Sequence, residues 1–143
     1  MKLHGYFRSS ASYRVRIALN LKNITCTNEF VHLTRGEQQS DEFQLLNPQK
    51  FVPVLEDDGI ILTQSLAIIE YLDEKYPHPA LLPKSEEDRA FVRSIALSVA
   101  CDIHPLNNLR VLKYLEYNLN LDKSLRKQWY CHWIATEFKA LET

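Results

Sequence analysis

The chain has 143 residues, 45% hydrophobic and 24% charged, ordinary globular proportions that allow one domain, or one small domain with part of another. Its net charge of -1, without long runs of lysine or arginine, excludes a strong pull toward nucleic acid or a membrane surface. No apolar stretch is long enough to span a bilayer, and no secretory leader is expected at its start. Cys26, Cys101 and Cys131 are odd in number, widely spaced and form no CxxC pair. They predict reduced thiols in a cytoplasmic protein, each a small buried hydrophobe, not a disulfide framework.

Residues 1–7, with Leu3, Tyr6 and Phe7, read as a buried strand. Ser9, Ser10 and Ser12 then supply N-cap candidates for a helix over 13–22. Its apolar stripe is Tyr13, Ile17 and Leu21, with Val15, Ala18 and Leu19 nearby. A second strand is expected over 25–33, which makes the first two strands a parallel pair. Gly36 marks a turn, and 41–46 forms a short helix stopped by Asn47-Pro48. A third strand begins at Val52-Pro53-Val54-Leu55. Asp57-Asp58-Gly59 turns it tightly into an antiparallel partner, Ile60-Ile61-Leu62. A helix over 64–75 follows, with Leu66, Ile69 and Leu72 as its stripe. The order βαβ then ββα predicts a thioredoxin-like α/β domain, one sheet with helices on both faces.

Pro77, Pro79 and Pro83 mark a linker, and the expected domains are 1–83 and 84–143. Ser85-Glu86-Glu87-Asp88 opens a helix running to about 117, kinked where Pro105 removes a hydrogen bond to the carbonyl of Cys101. A second helix covers about 121–141. Two helices bearing Leu97, Leu106, Leu109, Leu112, Trp129, Trp133 and Phe138 carry more apolar surface than they can bury against each other, so the second domain is expected to be an incomplete all-α domain. Trp129 and Trp133, four apart, read as core and not as a ligand platform.

Three short segments bear on chemistry. Ser9 and Ser10 stand where a strand feeds a helix, so backbone N–H groups and the positive end of the helix dipole point at one spot. A thiol bound there would ionise more readily, and a serine hydroxyl can donate to the thiolate. Serines in that position are also ordinary caps. Val52-Pro53 is either a cis peptide, turning the Val52 N–H and C=O toward an extended ligand, or a plain strand-start proline. Gln64-Ser65 opens another helix after a strand, either a carboxylate site or a second plain cap. The combination suits a peptide-like anion. His4, His32, His78 and His132 lack metal-ligand spacing, and no metal is expected.

Tyr6-Phe7-Arg8-Ser9-Ser10-Ala11-Ser12-Tyr13-Arg14-Val15-Arg16-Ile17-Ala18-Leu19 closely resembles the signature of zeta-class glutathione transferases. Asn47-Pro48-Gln49-Lys50-Phe51-Val52-Pro53-Val54-Leu55 and Gln64-Ser65-Leu66-Ala67-Ile68-Ile69-Glu70-Tyr71-Leu72 resemble the next two family segments. Ile103-His104-Pro105-Leu106-Asn107-Asn108-Leu109-Arg110-Val111-Leu112 is similar to the stretch of the helical domain that borders the active site. The resemblance implies glutathione as cofactor, Ser9 as the thiol-stabilising residue and Ser10 as its neighbour. It implies that Val52, beside Pro53, pairs its backbone with the cysteinyl part, and that Gln64 and Ser65 hold the γ-glutamyl carboxylate. Gln39 falls near a family glutamine that binds the glycyl end. Asp102 and His104 would reach toward glutathione from a second subunit of a homodimer. Arg8 and Arg110 would bind the carboxylates of a small dicarboxylate substrate.

There are two departures. Ala11 stands where the family motif often has cysteine, which leaves no cysteine at the helix start for redox chemistry. The family also continues well beyond residue 143, so truncation within the helical domain is expected. The implied reaction is glutathione-dependent cis–trans isomerisation of maleylacetoacetate to fumarylacetoacetate in tyrosine and phenylalanine breakdown. Isomerisation of maleylpyruvate, general glutathione transfer to electrophiles and a non-catalytic binding module on the same fold are the alternatives.

Overall fold

The computed structural model describes residues 1–143. The chain divides into two compact units, Met1–Leu82 and Pro83–Thr143. The first holds β1 (Lys2–Gly5), α1 (Ser10–Leu21), β2 (Thr27–Phe30), two short 3-10 turns (Leu33–Arg35 and Glu37–Gln39), α2 (Asp41–Leu46), β3 (Val54–Asp57), β4 (Ile60–Thr63) and α3 (Ser65–Lys75). The sheet order is β2-β1-β3-β4. β1 runs parallel to β2 and antiparallel to β3, which pairs antiparallel with β4, giving the thioredoxin-like arrangement. Asp58 and Gly59, at φ 47° and 83°, are both left-handed, the backbone a two-residue hairpin between twisted strands requires.

Each face of the sheet has its own core. Leu3, Leu55, Val15, Leu19, Ile68 and Leu72 fill the side covered by α1 and α3. Tyr6, Val31, Phe43, Val52 and Val54 fill the side of α2. Leu3 pairs with Leu55 and His4 with Val54, so alternate residues of one register serve opposite faces. Full burial of a side chain such as Ile68 contributes roughly 1.5–3 kcal/mol.

Two helices turn a different face inward from the one their spacing suggested. In α1, Tyr13, Ile17 and Leu21 are exposed, and Ala11, Ser12, Val15, Ala18 and Leu19 are buried. The inner stripe has smaller residues, which lets the helix lie close to β1. A Cβ on Gly5 would sit 3.2 Å from the Ser12 Cβ. In α3 the buried residues are Ser65, Ile68 and Leu72, with Leu66 and Ile69 only half-buried. Lys22 caps the C-terminus of α1 and has a fully buried side chain. Its ammonium donates to the carbonyls of Tyr76 (2.7 Å) and Pro79 (2.8 Å) and pairs with Asp73 at 2.5 Å. Asp73 also accepts from the Leu81 N–H at 2.9 Å.

The second unit holds α4 (Glu86–Leu97), a π-helical turn (Ser98–Ile103), a 3-10 turn (Pro105–Asn107), α5 (Leu109–Tyr117) and α6 (Lys123–Leu141). The single kinked helix expected before 117 is instead broken into α4 and α5. His104 N–H reaches five residues back to Val99 C=O, Pro105 has no N–H to continue the ladder, and the Asn108 side chain caps a new helix at Arg110 N–H. The Trp129 indole donates to Leu106 C=O at 2.9 Å, and the Trp129 and Trp133 rings meet edge to face at 5.6 Å. Phe91, Leu97, Tyr117 and Phe138 are exposed. The cysteines also depart from expectation. All three are free, but Cys101 and Cys131 are exposed and Cys26 is half-buried. Burial raises the Cys26 thiol above its ordinary value.

Candidate functional site

The sheet register determines which segments meet. Gly5 ends β1 opposite Phe30, the end of β2. His4 pairs with Val54, the start of β3, and Val54 pairs with Thr63, the end of β4. The turn to Ser9, the chain after Phe30, the Val52-Pro53 segment and the entry to α3 therefore all lie at one end of the sheet. The Asp57–Ile60 hairpin lies at the other end, beside an open depression of about 360 Å³ lined by Met1, Lys2, Glu56 and Asp57. There Asp57 is buried, which alone would raise its carboxyl, but hydrogen bonds from Lys75 (2.6 Å) and Tyr71 (2.9 Å) hold it below the usual carboxylate range.

At the first end, Ser9 is the N-cap of α1. Its Oγ accepts from Ser12 N–H at 3.2 Å, and its own N–H donates to Tyr6 C=O at 2.9 Å. The cap uses a lone pair of the hydroxyl. The hydroxyl proton is not consumed by it and can donate to an anion. Ser10 begins the helix and is exposed, as is Arg8 in the turn. Ser12 is fully buried, and its hydroxyl accepts from Tyr6 N–H at 3.5 Å. Arg16 donates to Phe7 C=O at 3.3 Å. Ser12 and Arg16 thus pin the turn that presents Ser9. In the sequence Ser12 stands as a cap candidate and Arg16 only within a motif, because the contacts that define their work are made to backbone atoms.

Val52-Pro53 is a cis peptide, and no hydrogen bond within the chain engages the Val52 N–H or C=O. The loop before it is held by Asn47, whose side chain donates to Phe51 C=O (2.9 Å) and accepts from Gln49 N–H (3.0 Å). Gln64 enters α3 at φ 68° and ψ 114°, a backbone region that side chains rarely adopt. Its amide donates to Gln49 Oε1 at 3.0 Å. The helices α1, α2, α4, α5 and α6 each have a side-chain N-cap, supplied by Ser9, Ser40, Ser85, Asn108 and Asp122. Helix α3 has none, so its first amides and the dipole face outward without an internal acceptor, with buried Ser65 as the first helical residue.

The next turn holds two adjacent glutamines in different settings. Gln39 is exposed. Gln38 is buried, and its Oε1 has no hydrogen-bond partner. A buried amide oxygen left unpaired is costly unless something else supplies a donor, so Gln38 joins the candidate residues. Two neighbouring glutamines in a 3-10 turn carry no periodicity that would distinguish them beforehand. Asp102, His104 and Arg110 belong to the second unit: Asp102 is exposed on the π-turn, His104 follows that turn and Arg110 lies in the first turn of α5. No group of three or more His, Cys, Asp or Glu side chains comes together as a metal site.

The profile of the glutathione S-transferase N-terminal domain matches residues 3–80. The chain belongs to the glutathione S-transferase family. Within this family it is 52% identical, over 142 residues, to the probable maleylacetoacetate isomerase of Vibrio cholerae, covering 98% of this chain and 66% of that protein. A holo structure of maleyl pyruvate isomerase, described as a bacterial glutathione S-transferase of the zeta class, superposes with a TM-score of 0.96 at 46% identity, covering 98% of this chain and 66% of that one. The maleylacetoacetate isomerase of Methylobacterium extorquens AM1, solved with malonate and glutathione bound, gives a TM-score of 0.96 at 44% identity, covering 99% and 67%. The chain thus spans about two thirds of the length of these zeta-class glutathione S-transferases.

Proposed function

We propose that the chain binds glutathione at this end of the sheet. We further propose that it serves glutathione-dependent cis–trans isomerisation of maleylacetoacetate to fumarylacetoacetate. The observation that carries the reading is the convergence, by strand register, of three features a γ-glutamyl peptide needs. These are a serine N-cap with its proton free to donate, an unpaired backbone N–H and C=O at Val52, and the uncapped N-terminus of α3. Malonate and glutathione together in the Methylobacterium structure support a dicarboxylate partner.

Glutathione supplies the sulfur nucleophile that adds to the cis double bond and later leaves it. The chain's residues supply the rest. Ser9 donates its hydroxyl proton to the sulfur and, with the α1 dipole, favours the thiolate; Ser10 stands beside it. Val52, aligned by Pro53, offers its backbone to the cysteinyl unit. Gln64, Ser65 and the α3 amides take the γ-glutamyl carboxylate. Gln38, with Gln39 beside it, takes the glycyl end. Arg8 and Arg110 balance substrate carboxylates, while Asp102 and His104 act from a second subunit of a homodimer. Free cysteines fit a reducing, cytoplasmic setting.

Maleylpyruvate is the second reading, because a neighbour with an equal TM-score carries that activity in its name. Rates on maleylacetoacetate, maleylpyruvate and a generic electrophile, each with and without glutathione, separate the readings. No detectable glutathione binding would leave a non-catalytic module on the same fold.

A further inference from the structure

The Val52 N–H belongs to the same peptide unit as the Phe51 C=O. That unit is trans, so the two groups point in opposite directions within one plane. Whatever holds the Phe51 C=O therefore also aims the Val52 N–H. Asn47 holds it: its Nδ2 donates to the Phe51 C=O at 2.9 Å, and its Oδ1 accepts from the Gln49 N–H at 3.0 Å. The two partners differ in kind, a carbonyl and an N–H. A flipped Asn47 amide would set oxygen against oxygen and N–H against N–H and lose both bonds. Asn47 is itself anchored. It is 2% exposed, its own N–H donates to Phe43 C=O within α2, and its C=O accepts from the Lys50 N–H, both at 2.9 Å. Lys50 turns the chain back with a left-handed φ of 60°. Residues 47–51 thus form a loop closed through one buried amide and fastened to a helix. The Val52 N–H, which no hydrogen bond within the chain engages, lies at its exit.

We infer that Asn47 is a positioning residue that fixes the Phe51–Val52 peptide plane and so aims the Val52 N–H at the cysteinyl carbonyl of bound glutathione. The inference rests on the glutathione reading. A buried side chain does not reach the ligand, so Asn47 acts only through the plane it holds. With that plane set before the ligand arrives, binding does not have to order it. The Val52 C=O belongs to the next peptide unit and is outside the control of Asn47. One half of the backbone pairing therefore depends on Asn47 and the other half does not.

Two substitutions remove the donor and keep an acceptor for the Gln49 N–H. They are Asn47→Asp, and Asn47→Ser, whose shorter hydroxyl can serve Gln49 but cannot also bridge to Phe51. Amide-proton NMR of the full isotope-labelled chain, titrated with glutathione to saturation, reads the outcome residue by residue. In the unaltered chain the Val52 proton should move downfield as it enters a hydrogen bond, and the amides of Ser65, Leu66 and Ala67 should move as a carboxylate reaches α3. In both variants the Val52 movement at saturation should fall by about half or more, and the dissociation constant should rise about threefold to tenfold, the worth of one hydrogen bond. The movements at α3 should remain. Urea midpoints verify that each variant is folded, and the neutral Asn47→Ser serves where a buried carboxylate keeps Asn47→Asp from folding. An undiminished Val52 movement at saturation in a folded variant overturns the inference. So does an equal loss at Val52 and at α3, the mark of general loosening, or an unaltered chain in which α3 responds and Val52 does not. If no amide of the unaltered chain responds to glutathione, the glutathione reading itself falls.

Discussion

In the proposed function Ser9 performs two tasks with opposite polarities of one hydroxyl. Its oxygen accepts from Ser12 N–H and starts α1, and its proton would be the one donated to the thiolate proposed to bind there. Substitutions can separate the two. Ser9→Ala should cost about 1 kcal/mol of stability through the lost cap. It should also lower turnover by about tenfold to a hundredfold, the worth of a hydrogen bond to a charged group. Ser9→Asp retains a capping acceptor, so urea unfolding should show near-normal stability. Its carboxylate faces the thiolate, so turnover should fall at least as far as in Ser9→Ala. Full activity in either variant would remove Ser9 from the mechanism. The serine was visible in the sequence because caps precede apolar periodicity. The division of labour within its hydroxyl was not, since it depends on which atom meets Ser12.

The helices show how far local pattern reaches. Starts were legible where a cap residue stands, as at Ser85 before α4. Facing was not legible in α1, where two apolar stripes satisfy the helical period and the choice falls to the smaller one that clears Gly5. Helix α3 is the element built against its own stability. Gln64 holds a left-sided φ without glycine, at a cost of about 1–3 kcal/mol. Gln64→Gly should raise the midpoint of thermal unfolding while weakening glutathione binding. A variant that gained no stability would show that the backbone there is unstrained. The far ends of α1 and α3 are joined by Lys22 and Asp73. Asp73→Asn leaves a buried ammonium without its counter-charge and should cost about 3–5 kcal/mol by urea titration. Burial alone would raise the Asp73 carboxyl, but Lys22 and the N–H groups of Leu81 and Leu82 outweigh it and depress its titration. Its stabilising effect is therefore present above the ordinary carboxylate range, near pH 4, and is lost as pH falls through the lower folded value. Asp57 behaves in the same sense.

Across the whole chain, the first unit was more legible than the second. Short apolar runs and turn dipeptides specify the order βαβ then ββα. In the second unit, Pro105 was seen as a kink, but the π-turn before it depends on where His104 N–H finds an acceptor. Thiol exposure was also illegible, because residue type suggests burial while position on the helix decides it. With a thiol-reactive dye at pH 8, Cys101 and Cys131 should react quickly and Cys26 slowly, because burial keeps its thiol protonated. Equal rates for all three would contradict this arrangement.

The bare end of α3 has a thermodynamic consequence. Five helices carry their own terminating acceptor, and α3 carries none. On the proposed function, a carboxylate bound there would complete a secondary-structure element, and the ligand would act as a residue the chain does not encode. Folding and ligand concentration are then linked: at a hundred times the dissociation constant the folded state gains about 2.7 kcal/mol. The protein's persistence in a cell would thereby follow the local supply of that peptide, even when no substrate is being turned over.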